Sequence, residues 1–167
     1  MLGQHNLAYL YFVGEGVAQD RYEAFNWATL AAKQGFAAAQ YNLGHMYDIG
    51  EGVAENNAEA VRWYLFAAEQ GDEDAQLVLG QMYYDAEGVP QSLDESIRWY
   101  TSAAEQGHAE AQFQLGMILG TDYDTPETTE LAVFWMQCAA DRGHAEARAI
   151  LEQYPSAQKQ PERLRDL

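Results

Sequence analysis

Residues 43–71 read LGHMYDIGEGVAENNAEAVRWYLFAAEQG, and the fold turns on how the Gly50-Glu51-Gly52-Val53 string inside that stretch is interpreted. A Gly-x-Gly turn ahead of a helix can wrap backbone amides around a phosphate, which would make the chain a nucleotide-dependent enzyme or switch. Two observations oppose that. The middle residue is a carboxylate, and no Lys-Ser or Lys-Thr pair follows. The string also returns, as Gly14-Glu15-Gly16-Val17 and as Ala86-Glu87-Gly88-Val89, each copy 36 residues from the next. One nucleotide does not need three loops, so the recurring glycines are a backbone device that supplies positive φ and close helix approach.

The same period governs the rest of the chain. Trp27, Trp63, Trp99 and Trp135 are 36 residues apart, and so are Gly35, Gly71, Gly107 and Gly143 and the Ala-Ala pairs that begin at Ala31, Ala67, Ala103 and Ala139. Within a unit the pattern predicts helix, loop, helix. Ala39, Leu43 and Tyr47 fall four apart and mark the buried stripe of a first helix, with Gly44 admitting a close neighbour. Ala60, Trp63, Tyr64, Ala67 and Ala68 mark a second helix, which Gly71 ends at the left-handed C′ position. Asp20 with Glu23, Asn56 with Glu59 and Ser92 with Glu95 have capping-box spacing, whereas in the fourth unit Thr128 keeps the cap and Leu131 replaces the Glu. Helix pairs of this kind bury their apolar faces only by stacking, so the expected fold is an all-α solenoid, an alpha-alpha superhelix. The predicted organisation is four repeats (about 3–38, 39–74, 75–110 and 111–146), a capping helix over 147–153 and a polar tail over 155–167 that Pro155 separates.

Composition narrows the function. A formal net charge of −17 in 167 residues opposes nucleic acid and anionic membrane surfaces. The lone Cys138 permits no intrachain disulfide. No apolar run reaches membrane-spanning length and no signal peptide is visible, so the chain reads as soluble, with a cytoplasmic or an exported location both compatible. Leu2 already stands in a helical pattern, which suggests a chain cut from a longer precursor.

Leu43-Gly44, Tyr47, Gly50, Gly52, Val53, Asn56, Ala60, Trp63, Tyr64, Ala67, Ala68, Gln70 and Gly71 together resemble the Sel-one-like repeat (SLR) family, a relative of the tetratricopeptide repeats. The likeness covers about residues 3–153. The third repeat departs at Ala86 and Ser96, and the first has Ala8 for the glycine and Ala28 after its Trp. The fourth replaces the loop with Thr121 to Thr129, TDYDTPETT. The resemblance implies a non-enzymatic adaptor that holds a peptide or protein segment in a concave groove lined by the first helices. It also admits two alternatives: a hydrolytic or β-lactam-binding protein like the cysteine-rich Helicobacter members, whose paired cysteines are absent here, or a structural subunit that assembles through its ends.

A partner site is sought where residues do not recur. Projected at 100° per residue, Tyr41, Asn42 and His45 lie opposite the Ala39, Leu43, Tyr47 stripe. The equivalent positions are Tyr9 in the first repeat, Asp74, Leu77, Val78, Gln81 and Asp85 in the third, and Phe113, Gln114 and Met117 in the fourth. These form the predicted partner-binding groove. Apolar groups alternating with carboxylates suit a protein segment with apolar anchors and basic residues. Tyr41, Leu77 and Phe113 compete for core positions, since an apolar residue recurs there. No catalytic set, cofactor or metal is predicted: His5, His45, His108 and His144 lack ligand spacing, Asp122, Asp124 and Glu127 lack the glycine and later Glu of a calcium loop, and Cys138 has no readable His partner. The run Leu7 to Val13 leaves room for a homodimer through the N-terminal repeat.

Overall fold

The structure is a computed structural model that describes residues 2–121 and 125–153. The predicted tail, Pro155, and Asp122 and Asp124 lie outside these residues. Every regular element among them is an α-helix: α1 (Leu2–Val13), α2 (Arg21–Ala32), α3 (Ala37–Asp48), α4 (Asn57–Ala68), α5 (Glu73–Asp85), α6 (Leu93–Glu105), α7 (Ala109–Thr121), α8 (Pro126–Asp141) and α9 (Ala145–Gln153). The chain divides into two compact units, 1–96 and 97–167.

In the first unit α1, α3 and α5 are the first helices of successive pairs, and α2 and α4 pack between them. Alanine makes this spacing work. Ala24, Ala31, Ala32, Ala39, Ala60, Ala67 and Ala75 are all at most 1% exposed and let neighbouring backbones approach. Leu43 and Leu79 fill the remaining space and are fully buried. Gly44 is obligatory for a different reason, because a Cβ there would lie 2.8 Å from the Tyr64 ring. Ser96 replaces the alanine of the second repeat without leaving an orphan hydroxyl, since it donates to the Gly80 carbonyl at 2.7 Å.

Side-chain caps begin the second helices. Asp20 accepts from the amides of Tyr22 and Glu23, Asn56 from that of Glu59, and Ser92 from that of Glu95. The amides of the cap residues themselves make a bond of longer range. The backbone amides of Asp20, Asn56 and Ser92 donate to the carbonyls of Tyr11, Tyr47 and Tyr83 in the preceding helix, at 2.8–3.0 Å. That bond closes the loop onto its own hairpin. The second loop glycine then docks each hairpin onto the one before: a Cβ on Gly52 would strike the Arg21 carbonyl, and one on Gly88 would lie 2.5 Å from the Asn57 carbonyl. Glu51 pairs with Arg21 at the same junction.

In the second unit α7, α8 and α9 pack in sequence. Here the expected Thr128 cap is corrected. Thr125 is the N-cap, its hydroxyl accepts from the Thr128 amide, and the Thr128 hydroxyl accepts from the Thr125 amide in a complete capping box. Pro126, whose ring presets the helical φ and whose missing N–H costs no bond there, occupies the first turn. The helix therefore starts a turn early and reaches 16 residues.

Candidate functional site

The first helices of residues 1–96 separate recurring from non-recurring positions. On α3 and α5 the recurring Ala39, Leu43, Ala75 and Leu79 are buried, while Asn42, His45, Asp74, Gln81 and Asp85 stand in solvent. Leu77 and Val78 are half-buried, and on α1 Tyr9 is 57% exposed. Tyr41 is half-buried against Tyr64, ring centroids 5.6 Å apart. Burial first, then the carboxylates of Asp74, Asp72 and Asp48, raise the Tyr41 phenol above its usual pKa. Tyr64, which donates to Asp48 Oδ2 at 3.3 Å, is raised much further by burial and then by Asp48. Both rings are uncharged packing groups at neutral pH.

An open cavity of about 270 Å³ lies between α1, α2 and α3. Its floor is Ala8, Ala24, Ala28 and Met46, all buried in one apolar cluster. His5, Tyr9 and Phe12 of α1 form one wall, and Asn42 and His45 of α3 the other. The cavity thus brings together the predicted groove residues Tyr9, Asn42 and His45. Of the two departures of the first repeat, Ala28, which stands where the second repeat has Tyr64, removes bulk at this place, and Ala8 lines the space.

In the second unit one groove assignment changes. Phe113 is 8% exposed and belongs to the core with Met136, Ala139, Ala140, Ala147 and Leu151, so it is not a groove wall. The reason is the bulk that recurs there: its ring stacks on His144, centroids 4.3 Å apart, which closes it from solvent. Met117 packs partly on the same cluster, and Gln114 donates to Glu110 Oε1 at 2.7 Å.

The histidines outside the cavity serve as caps. His108 Nδ1 accepts from the Ala111 amide and His144 Nδ1 from that of Ala147. With Nδ1 accepting, His144 Nε2 donates to Glu110 Oε2 at 3.0 Å. Burial raises the Glu110 carboxyl, but the bonds from Gln114 and His144 and the electrostatic pull of the nearby His144 and His108 rings outweigh it and hold the group below its usual range. Cys138 is a free, half-buried thiol whose pKa is pushed up by burial, which Arg142 opposes and Asp141 reinforces. Such a thiol is a poor nucleophile. Among the described residues no cluster of three or more metal-ligating side chains occurs, and no helix is long and apolar enough to cross a membrane. Sequence reasoning also passed over Leu30 and Phe66, 36 residues apart on α2 and α4 and 46% and 47% exposed, because their spacing resembled that of core positions.

This is an all-α protein of the helical-repeat class. The Sel1 repeat pattern matches residues 2–36, 37–72, 73–108 and 109–144, and the chain belongs to the Sel1 repeat family. Its structure is similar to that of a protective antigen present in uropathogenic Escherichia coli strains that displays an SLR fold. There the TM-score is 0.84 and the identity 37%, over 89% of this chain and 32% of that one. It is also similar to a Sel1 repeat protein from Oxalobacter formigenes, with TM-score 0.83 and 35% identity, over 90% of this chain and 60% of that one. The chain thus spans about a third and three-fifths of those two proteins. Cysteine rich protein B of Helicobacter pylori, with TM-score 0.55 and 20% identity over 64% of this chain and 86% of that one, shares the fold alone. No curated protein matches the chain. Sel1 repeat proteins are generally protein-interaction scaffolds and typically non-enzymatic.

Proposed function

We propose that this chain is a non-enzymatic scaffold that binds a protein or peptide segment across the first helices α1, α3 and α5. One observation carries the reading. On the first helices the recurring alanine and leucine side chains Ala39, Leu43, Ala75 and Leu79 are consumed by packing, whereas Tyr9, Asn42, His45, Asp74, Gln81 and Asp85 remain accessible. Exposed carboxylates on a chain of net charge −17 favour a segment with Lys or Arg. Exposed aromatics favour one with apolar anchors. In the second unit, taken by itself, Gln114 and Met117 on α7 are the corresponding candidates, without Phe113.

The test is selection of peptides from a random library on the intact chain, followed by calorimetry. Selected peptides are expected to combine an apolar anchor with basic residues and to bind Gln81→Lys/Asp85→Lys at least about tenfold more weakly, a change of about 1.4 kcal/mol. Peptides that bind this charge-reversed variant as tightly as the unmodified chain would overturn the proposal. A second reading, a homodimer through α1, draws on the exposure of Tyr9, Phe12 and Val13 on one helix, 57%, 36% and 40%. Light scattering that returns the monomer mass at high concentration removes it.

A further inference from the structure

We infer that the cavity between α1, α2 and α3 is a socket for an aromatic side chain supplied by the bound segment; this deepens the partner-binding reading above and rests on it. The argument comes from the repeat register. Ala28 is the position that Tyr64 holds one repeat later, and His5, Ala8 and Phe12 are the positions of Tyr41, Gly44 and Asp48. Those three residues surround the Tyr64 ring. Its centroid is 5.6 Å from that of Tyr41, its face leaves no space for a Cβ on Gly44, and its hydroxyl reaches Asp48. In the second repeat the chain fills this space with its own tyrosine, and the ring is fully buried.

In the first repeat the walls persist and the ring is missing. Ala28 is 4% exposed and cannot reach across, and Ala8 replaces the glycine because no ring presses on it. About 270 Å³ is left open. An apolar cavity of about 150 Å³ is enough to bind benzene. Phe12 stands where Asp48 accepts the Tyr64 hydroxyl, so that part of the lining is apolar like the floor, while His5, Asn42 and His45 put polar atoms on the walls. An aromatic ring on an extended segment matches both the shape and this division.

The test uses methyl NMR of the intact chain. Titration with N-acetylphenylalaninamide is expected to shift the Ala24, Ala28 and Met46 methyls saturably, with N-acetylleucinamide at least about tenfold weaker. In Ala8→Gly/Ala28→Tyr the protein's own ring refills the socket, so the Ala24 and Met46 methyl shifts should vanish while the melting temperature holds or rises. If that variant does not fold, Ala8→Gly/Ala28→Met is the substitute, since Met136 follows the Trp against Gly116 in the fourth repeat. Ring-induced shifts absent from the unmodified chain, or unchanged in a folded filled variant, would overturn the inference. So would shifts of the same methyls with protein concentration alone, which would assign the socket to a second copy. The two readings fail separately. An empty socket together with peptides that still lose affinity for Gln81→Lys/Asp85→Lys sinks the socket and leaves the scaffold reading standing.

Discussion

Ala86 stands where the two earlier loops carry Gly14 and Gly50, and it adopts the same left-handed conformation, φ 62°. An L side chain there costs about 1–2 kcal/mol, partly offset by the greater freedom glycine has in the unfolded chain. Ala86→Gly is therefore expected to stabilise the protein by about 0.5–1 kcal/mol, or about 1–4 °C in Tm, in a thermal melt followed by circular dichroism. An unchanged or lower Tm would mean that the loop does not store this strain. The requirement for positive φ was legible in the sequence from the recurring glycines. What pressed on each glycine was not: Gly44 yields to Tyr64, and Gly52 yields to a carbonyl of the preceding hairpin.

Between elements, the junctions are held by polar groups that carry the 36-residue period without belonging to the apolar stripe. Gln40, Gln76 and Gln112 are buried and donate to the carbonyls of Ala32, Ala68 and Ala104 at 2.9–3.3 Å, and Arg148 does the same to Ala140. Each adds a second bond to a carbonyl in the last turn of the previous helix, which already accepts from the amide of Gly35, Gly71, Gly107 or Gly143. Gln70 in turn donates to Gln40 Oε1, so one side chain bridges two helix ends. Gln40→Leu removes these bonds while the Ala32 carbonyl still accepts from Gly35 and Gln70 still donates to the Phe66 carbonyl, and it is expected to cost about 0.5–1.5 kcal/mol with an unchanged denaturant slope in urea unfolding. The second junction device is acid-sensitive. Because the Glu110 pKa is depressed in the folded state, its contribution is present above the usual carboxylate value of 4.5 and is lost as pH falls through the lower folded value. Glu110→Gln should be less stable than the unmodified chain at pH 7, by under about 1 kcal/mol for so exposed a pair, and equal to it near pH 2. A difference that persists at the acid end would mean that the carboxylate is not responsible.

For the molecule as a whole, 26 acidic against 9 basic residues make self-repulsion the dominant long-range term. Some acids are absorbed locally, as at the Asp20 cap and the Glu51–Arg21 and Glu59–Arg62 pairs. Raising sodium chloride from about 20 mM to about 500 mM shortens the screening length severalfold and is expected to raise Tm by a few degrees. A Tm that falls with salt would show that the ion pairs outweigh the repulsion. The same charge predicts that a basic partner segment binds more weakly as salt increases.

The sequence by itself determined the all-α class, the helix pairs and their 36-residue period, and the Sel1 repeat kinship, because each rests on local spacing: three- and four-residue apolar steps, caps and left-handed glycines. Tertiary structure alone decided which non-recurring residues stay accessible. Phe113 went to the core and Tyr9 to solvent, although both sit on first-helix faces, because exposure depends on what the neighbouring helix brings. His144 covers Phe113, while opposite Ala8 the neighbouring helix brings only Ala28. A missing side chain leaves a cavity only when the surrounding helices are held apart by other contacts, and that balance appears only once the chain is packed.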